Sequence, residues 1–191
     1  MNFLAHQALS NNHPEIQIGN FIADFLRGEK QRAYTPMIHR GIEIHREIDA
    51  FTDQHSSILG AKKALQPVFG KYSPVLIDLY LDHFLGKHWN RYHDSDLHQF
   101  TQSVFTNFHD HYHVLPQRAK SVLPYMVWEN WLFHYQFDDG MQKAMKGLGR
   151  RAKFENHFES KGVLFLQQNR EFLEQSFLEF YPDILQQCSQ F

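Results

Sequence analysis

The stretch LYLDHFLGKHW, residues 79 to 89, sets the strongest constraint on the fold. Wound into a helix it is apolar, aromatic or small on nearly every side, and such a helix is normally buried. Yet Asp82 and His83 stand at its centre. An unpartnered buried carboxylate is costly, or its pKa shifts until it neutralises. The chain must therefore wrap this helix in others and supply the pair with a partner.

Helical periodicity runs through the rest of the chain, and alternating strand patterns are scarce. The segment LSNNHP separates a first short helix from a second, EIQIGNFIADFLRG, which Gly28 is placed to stop. TPMIHRGIEIHREIDAFTDQH is a third, with Thr35 as N-cap and Pro36 at its first position. SSILGAKKALQPVFGKY is a fourth, and Ser73 with Pro74 opens the apolar helix by the same logic. Further helices are predicted around 95–113, 117–137 and 162–181, with a more polar, basic segment over 138–156. No repeat or linker divides the chain. One all-α domain over residues 1–191 follows, large enough for a core that 18 phenylalanines help to fill.

A formal net charge of −2 argues against general nucleic-acid binding. No stretch approaches the roughly 20 apolar residues of a membrane span. MNFLAHQALSNNHPEIQ lacks the basic start and small-residue cleavage site of a signal peptide. Cys188 is the single cysteine and has no internal partner. The expectation is a reduced, cytoplasmic protein. With 14 histidines, position must decide which are functional.

Position picks out a few. Ile38, Ile42, His45 and Asp49 recur at helical spacing and form one stripe, so His45 and Asp49 share the isoleucine face. In the second helix Asp24 lies beside the face of Ile18, Phe21, Ile22 and Phe25. Asp82 and His83 occupy adjacent inward positions, and His6 lies among Phe3, Leu4, Ala5 and Leu9. Any one of these is ordinarily a hydrogen-bonded core residue. Taken together, three helices bring inward carboxylates or imidazoles, and a divalent cation is an economical common partner. Mixed Asp/His ligation suits Mn²⁺, Fe or Zn²⁺. Pairing among these groups and nearby arginines is the alternative. Metalloprotease, serine-hydrolase, P-loop and Glu-x-x-His di-iron patterns are absent from the sequence.

MNFLAH, GNFIADFLRG, GIEIHREIDAFTD, LDHFLGKHW and FLEFYP occur in that order over residues 1 to about 183. Together they resemble the acyl carrier protein phosphodiesterase family, which is similar to the HD superfamily of metal-dependent phosphohydrolases. The HD signature pairs an adjacent His and Asp; here the adjacent pair is reversed, as Asp82-His83, and His45 and Asp49 are a turn apart. The resemblance implies an HD-phosphohydrolase-like helical bundle. It also implies Mn²⁺, with Mg²⁺ as the alternative, and hydrolysis of the phosphodiester that joins phosphopantetheine to the serine of holo acyl carrier protein.

On that reading Asp24, His45, Asp49, Asp82 and His83 are the candidate metal ligands. Asp24 is also the candidate base, and His6 a ligand or a proton donor to the leaving serine oxygen. Arg27 and Arg46, with Lys87 as a third candidate, are placed to bind phosphate oxygens. Acyl carrier proteins are acidic, so Lys143, Lys146, Arg150, Arg151 and Lys153 form a candidate docking patch. Trp128, Trp131 and Phe133 are either core or the wall of a groove for a lipid thioester. Two other readings stay open: an HD-type hydrolase of a nucleotide or small phosphodiester, which needs a base-stacking pocket, and a non-catalytic helical module, which metal would not stabilise.

Overall fold

The computed structural model describes residues 1–26, 34–151 (Arg151 by its backbone alone) and 157–189. Among them, twelve α-helices run in the order α1 (Phe3–Ala8), α2 (Pro14–Ile22), α3 (Pro36–Gln54), α4 (Ser56–Phe69), α5 (Ser73–Lys87), α6 (Trp89–Tyr92), α7 (Leu97–Asp110), α8 (Gln117–Trp128), α9 (Trp131–His134), α10 (Asp138–Arg151), α11 (Phe158–Gln168) and α12 (Arg170–Cys188). No strand occurs among these residues, so the all-α expectation holds. The buried apolar side chains form one cluster. No helix among the described residues is long and apolar enough to cross a membrane.

Helix α5 is the axis of the fold. Every residue from Leu79 to Gly86 is buried, Asp82 and His83 included. It is packed by α1, α4, α10 and α12. This is the wrapping that an all-round apolar helix demands.

Local signals fix several boundaries. Asn11 and Asn12 adopt left-handed backbone angles in the turn between α1 and α2, a conformation asparagine tolerates better than most residues. Thr35 caps α3, its hydroxyl accepting from the Ile38 N–H at 3.2 Å, and Pro36 follows at the first position. At α5 the expected boundary is off by one. Ser73 is the first helical residue, and its hydroxyl donates to the Gly70 carbonyl. Gly28 lies outside the described residues.

Three predicted elements differ. The 117–137 helix is broken at Asn130, whose left-handed backbone separates α8 from α9. The 162–181 helix is two helices meeting at Asn169. The segment 138–156 is helical over Asp138–Arg151, because Met141, Met145 and Leu148 bury one face while three glycines obscure the periodicity in sequence. Of the three aromatic residues left between core and groove, Trp131 and Phe133 are half-buried against the core. Trp128 is 89% exposed at the rim of an apolar groove of about 530 Å³ formed with Phe105, Leu123 and Val127.

Helices α2 and α3 make the closest approach. A Cβ on Gly19 would lie 2.1 Å from the Ile38 carbonyl oxygen, and one on Gly41 2.3 Å from that of Ile16. Only glycine permits the crossing, because the obstructing atoms are backbone. Gly41→Ala is expected to destabilise the protein by about 3 kcal/mol through forced separation of the two helices. Urea denaturation checks it as a lowered midpoint at unchanged slope.

Candidate metal centre

Helices α1, α2 and α3 converge on one cluster. His6 comes from α1 and is 2% exposed; His45 from α3 is 6% exposed. Their rings stack at 4.1 Å between centroids. Asp49, one turn after His45, bridges the two rings at their edges, with Oδ1 3.3 Å from His6 Nε2 and Oδ2 3.3 Å from His45 Nε2. Asp24, in the 3₁₀ turn that follows α2, approaches His45 Nε2 to 3.5 Å from the solvent side. The Met1 amino nitrogen lies 3.0 Å from Asp78 and 3.7 Å from Asp49.

Three of these residues, His6, His45 and Asp49, each offer a ligand atom within 4.8 Å of the others, the one such group among the described residues. His6 Nδ1 is buried without a hydrogen-bond partner, and the buried Nε2 meets only the Asp49 carboxylate, 3.3 Å away. A buried polar atom without a partner is rare in a folded protein and calls for an explanation. His45 is held differently. Its Nδ1 lies 2.9 Å from the Asn20 carbonyl oxygen and 3.1 Å from Asn20 Oδ1, two acceptors, so Nδ1 carries the proton and donates. Nε2 then faces the carboxylates. A ligating histidine is commonly oriented by just such a bond from its other nitrogen. The donor set of two imidazoles and one carboxylate, with Asp24 at its edge, therefore fits a divalent transition metal.

The electrostatics agree. Burial opposes protonation of His45, but Asp24 and Asp49 outweigh it and raise its pKa to about 9. Burial pulls the other way on Asp49, yet His45 and His6 hold it well below the usual carboxylate range. The Asp24 carboxyl is lowered as well, its partial desolvation outweighed by His45. Burial, aided by the charge of His45, lowers His6, which is kept neutral. A lowered pKa favours the neutral imidazole that can serve as a metal ligand.

Asp82 and His83 are not brought to this cluster. Asp82 instead caps α1 from another helix: its carboxylate accepts from the backbone N–H groups of Asn2 at 3.3 Å, Leu4 at 2.8 Å and Ala5 at 3.2 Å. These are orphan donors of a helix start that no local side chain caps. Burial raises the Asp82 pKa to about 7 against the pull of those N–H groups. His83 Nδ1 lies 2.8 Å from the Tyr135 carbonyl and Nε2 points toward Asp138 at 4.0 Å. Burial lowers its pKa to about 4. Neither side chain joins the group of His6, His45 and Asp49, with which both were expected to ligate: inward position on a helix says that a partner exists, not that it is a cation.

The remaining candidates are scattered. Arg46 is exposed and makes no ion pair with Asp49 among the described residues. Lys87 is exposed at the end of α5, on the His83 side. Arg27, Lys153 and the Arg151 side chain lie outside the described residues. Lys143, Lys146 and Arg150 are exposed at helical spacing on α10, and the two lysines border a shallow cavity with Gln142 and Glu159. Asn20 was not singled out in the sequence, although a polar residue inside IGNFI carries the same signal as Asp82.

The fold is all-α, and its half-buried histidine–carboxylate cluster offers donors of the kind that suit a divalent cation. The family model for acyl carrier protein phosphodiesterase matches residues 1–184. The chain belongs to that family. It is 32% identical to the acyl carrier protein phosphodiesterase of Escherichia coli O6:H1 (strain CFT073) over 99% of this chain and 98% of that protein. It is 31% identical to the Yersinia pestis protein of the same name, over 98% and 97%. The Serratia proteamaculans relative is 29% identical over the same shares. No solved structure matches the chain at a significant level.

Two outcomes follow from the geometry. Asp82→Ala is expected to cost about 3 kcal/mol, because it strands three backbone donors at a buried helix start; thermal or urea unfolding measures it, and activity lost with the fold would not make Asp82 a ligand. Because His45 holds its proton to about pH 9, a cation must displace it. Apparent Mn²⁺ affinity is then expected to rise about tenfold per pH unit between pH 6 and 8, with proton release detectable by calorimetry in buffers of different ionisation enthalpy.

Proposed function

We propose that this chain is a metal-dependent phosphodiesterase that removes phosphopantetheine from holo acyl carrier protein, leaving apo carrier protein. Family membership over nearly the whole chain supports the substrate. The observation that carries the chemistry is the buried group of His6, His45 and Asp49, each with a ligand atom within 4.8 Å of the others. His6, His45 and Asp49 would hold Mn²⁺, or Mg²⁺ in its place. Bound there, a divalent cation neutralises phosphoryl oxygens and lowers the pKa of water.

The chain's own residues supply the rest. Asp24, 55% exposed and deprotonated, stands at the mouth of the cluster, where it can take a proton from an attacking water. Asp49 keeps the two imidazoles in register by bridging their Nε2 atoms. The buried rings close the inner side against solvent. We place this arrangement in the HD class in rearranged form, with His45 and Asp49 a turn apart on α3 in place of an adjacent pair. The basic stripe of Lys143, Lys146 and Arg150 suits an acidic partner, whose encounter it would speed. A protein substrate and a buried free Cys188 both fit a reduced cytoplasmic setting.

The test is intact-mass analysis of holo acyl carrier protein incubated with the protein and Mn²⁺, beside a chelator control. Metal-dependent loss of the phosphopantetheine mass is expected. His45→Ala is expected to lower the rate at least about a hundredfold and abolish the metal-induced thermal shift, which in the wild type should reach about 2.7 kcal/mol at a hundred times Kd. In the same assay Lys143→Glu with Lys146→Glu should raise KM and leave kcat unchanged. A folded, Mn²⁺-binding protein that leaves the holo mass intact would sink the substrate assignment.

A further inference from the structure

The two histidines of the cluster stand on helices α1 and α3, and one side chain on α2 reaches both. Asn20 is 1% exposed. Its amide Nδ2 donates to the main-chain carbonyl of His6 at 2.9 Å and to Ser10 Oγ at 3.0 Å. Its Oδ1 accepts from His45 Nδ1 at 3.1 Å, beside its own backbone carbonyl at 2.9 Å. The amide orientation is dictated by these partners, because the His6 carbonyl needs a donor and the protonated His45 nitrogen an acceptor. Ser10 closes the loop by donating its hydroxyl to the His6 carbonyl at 2.7 Å.

We infer that Asn20 is a positioning residue of the centre: its side-chain oxygen holds the His45 ring by Nδ1 and so fixes where that imidazole offers Nε2 as a ligand atom. This rests on the reading of the cluster as a metal centre. Three features support a role beyond packing. The amide spends its hydrogen-bonding capacity on the two ligand-bearing helices. The bond to His45 Nδ1 keeps the proton on the nitrogen turned away from the carboxylates, leaving Nε2 to bind. Gly19, the preceding residue, is where α2 and α3 touch backbone to backbone, so Asn20 sits at the point of least play between them. An asparagine that merely filled space there would leave its polar atoms without partners, at a cost the fold would avoid.

The experiment is calorimetric titration of the metal-free full chain with Mn²⁺, without substrate, for the wild type, Asn20→Ala, Asn20→Asp and Ser10→Ala, each checked for helicity by circular dichroism. Asn20→Ala is expected to weaken Mn²⁺ roughly tenfold, at the low end for an outer hydrogen-bond partner because the backbone carbonyl still accepts from His45. Asn20→Asp keeps the acceptor and loses the donors, so it should restore affinity to within about threefold. Ser10→Ala, which touches the same network but not His45, should bind as the wild type does. A folded Asn20→Ala with wild-type affinity overturns the inference, and so does Asn20→Asp as weak as Asn20→Ala, which would report packing alone. Should Asn20→Ala fail to fold, Asn20→Asp decides: near wild-type affinity upholds the role, a tenfold loss overturns it. A wild type that binds no Mn²⁺ would instead overturn the metal reading itself, and this role with it.

Discussion

The Asp82 carboxylate at the start of α1 is the interaction on which the rest depends. Helix α1 has six residues, too few to hold together by its own hydrogen bonds. Its first turn faces the interior, where water cannot satisfy its N–H groups. One carboxylate on α5 accepts from three of them and also meets the positive end of the helix dipole. His6 stands on that same short helix. The place of one ligand atom is therefore set by a residue of the core that never reaches the cluster.

The second constraint is the approach of α2 to α3. Gly19 and Gly41 remove the side chains that would hold the backbones apart. The tight crossing lets Asn20 reach His45, and it brings Asp24 to the opposite nitrogen of the same ring. The cluster is consequently asymmetric. Its imidazoles are buried and its carboxylates face outward, with Asp49 at 47% and Asp24 at 55% exposure. Open carboxylates are an inexpensive way to build such a centre, because they keep part of their hydration while they compensate the buried, protonated His45. The exposed side is also where a phosphodiester on a folded protein would have to arrive.

Kinship with the acyl carrier protein phosphodiesterases spans the chain from end to end. The proposed chemistry of the cluster rests on that kinship together with the convergence of His6, His45 and Asp49. The adjacent Asp82-His83 pair imitates the signature of the larger superfamily, but its two side chains serve different neighbours: the start of α1, and the Tyr135 carbonyl. The pair that the structure does bring together is His45 with Asp49, whose i, i+4 spacing puts both on one face of α3.

By itself the sequence determined the helical class, the burial of α5, the Thr35 cap, and the shared face of His45 and Asp49. All of these follow from local chemistry: 3.6-residue periodicity, capping geometry, and the scarcity of strand patterns. It marked Asp82 and His83 as inward residues that required partners, and the clustering of inward His and Asp groups that points to a cation. It missed the helix over Asp138–Arg151, whose glycines dilute a three-residue apolar face, and the breaks at Asn130 and Asn169, which depend on how successive helices dock. Only the tertiary structure decided which partner each inward group has. An aspartate on an apolar helix looks the same in sequence whether it meets a metal ion or the N–H groups of another helix. That choice is made by contacts between residues about 80 positions apart, and local chemistry does not encode them.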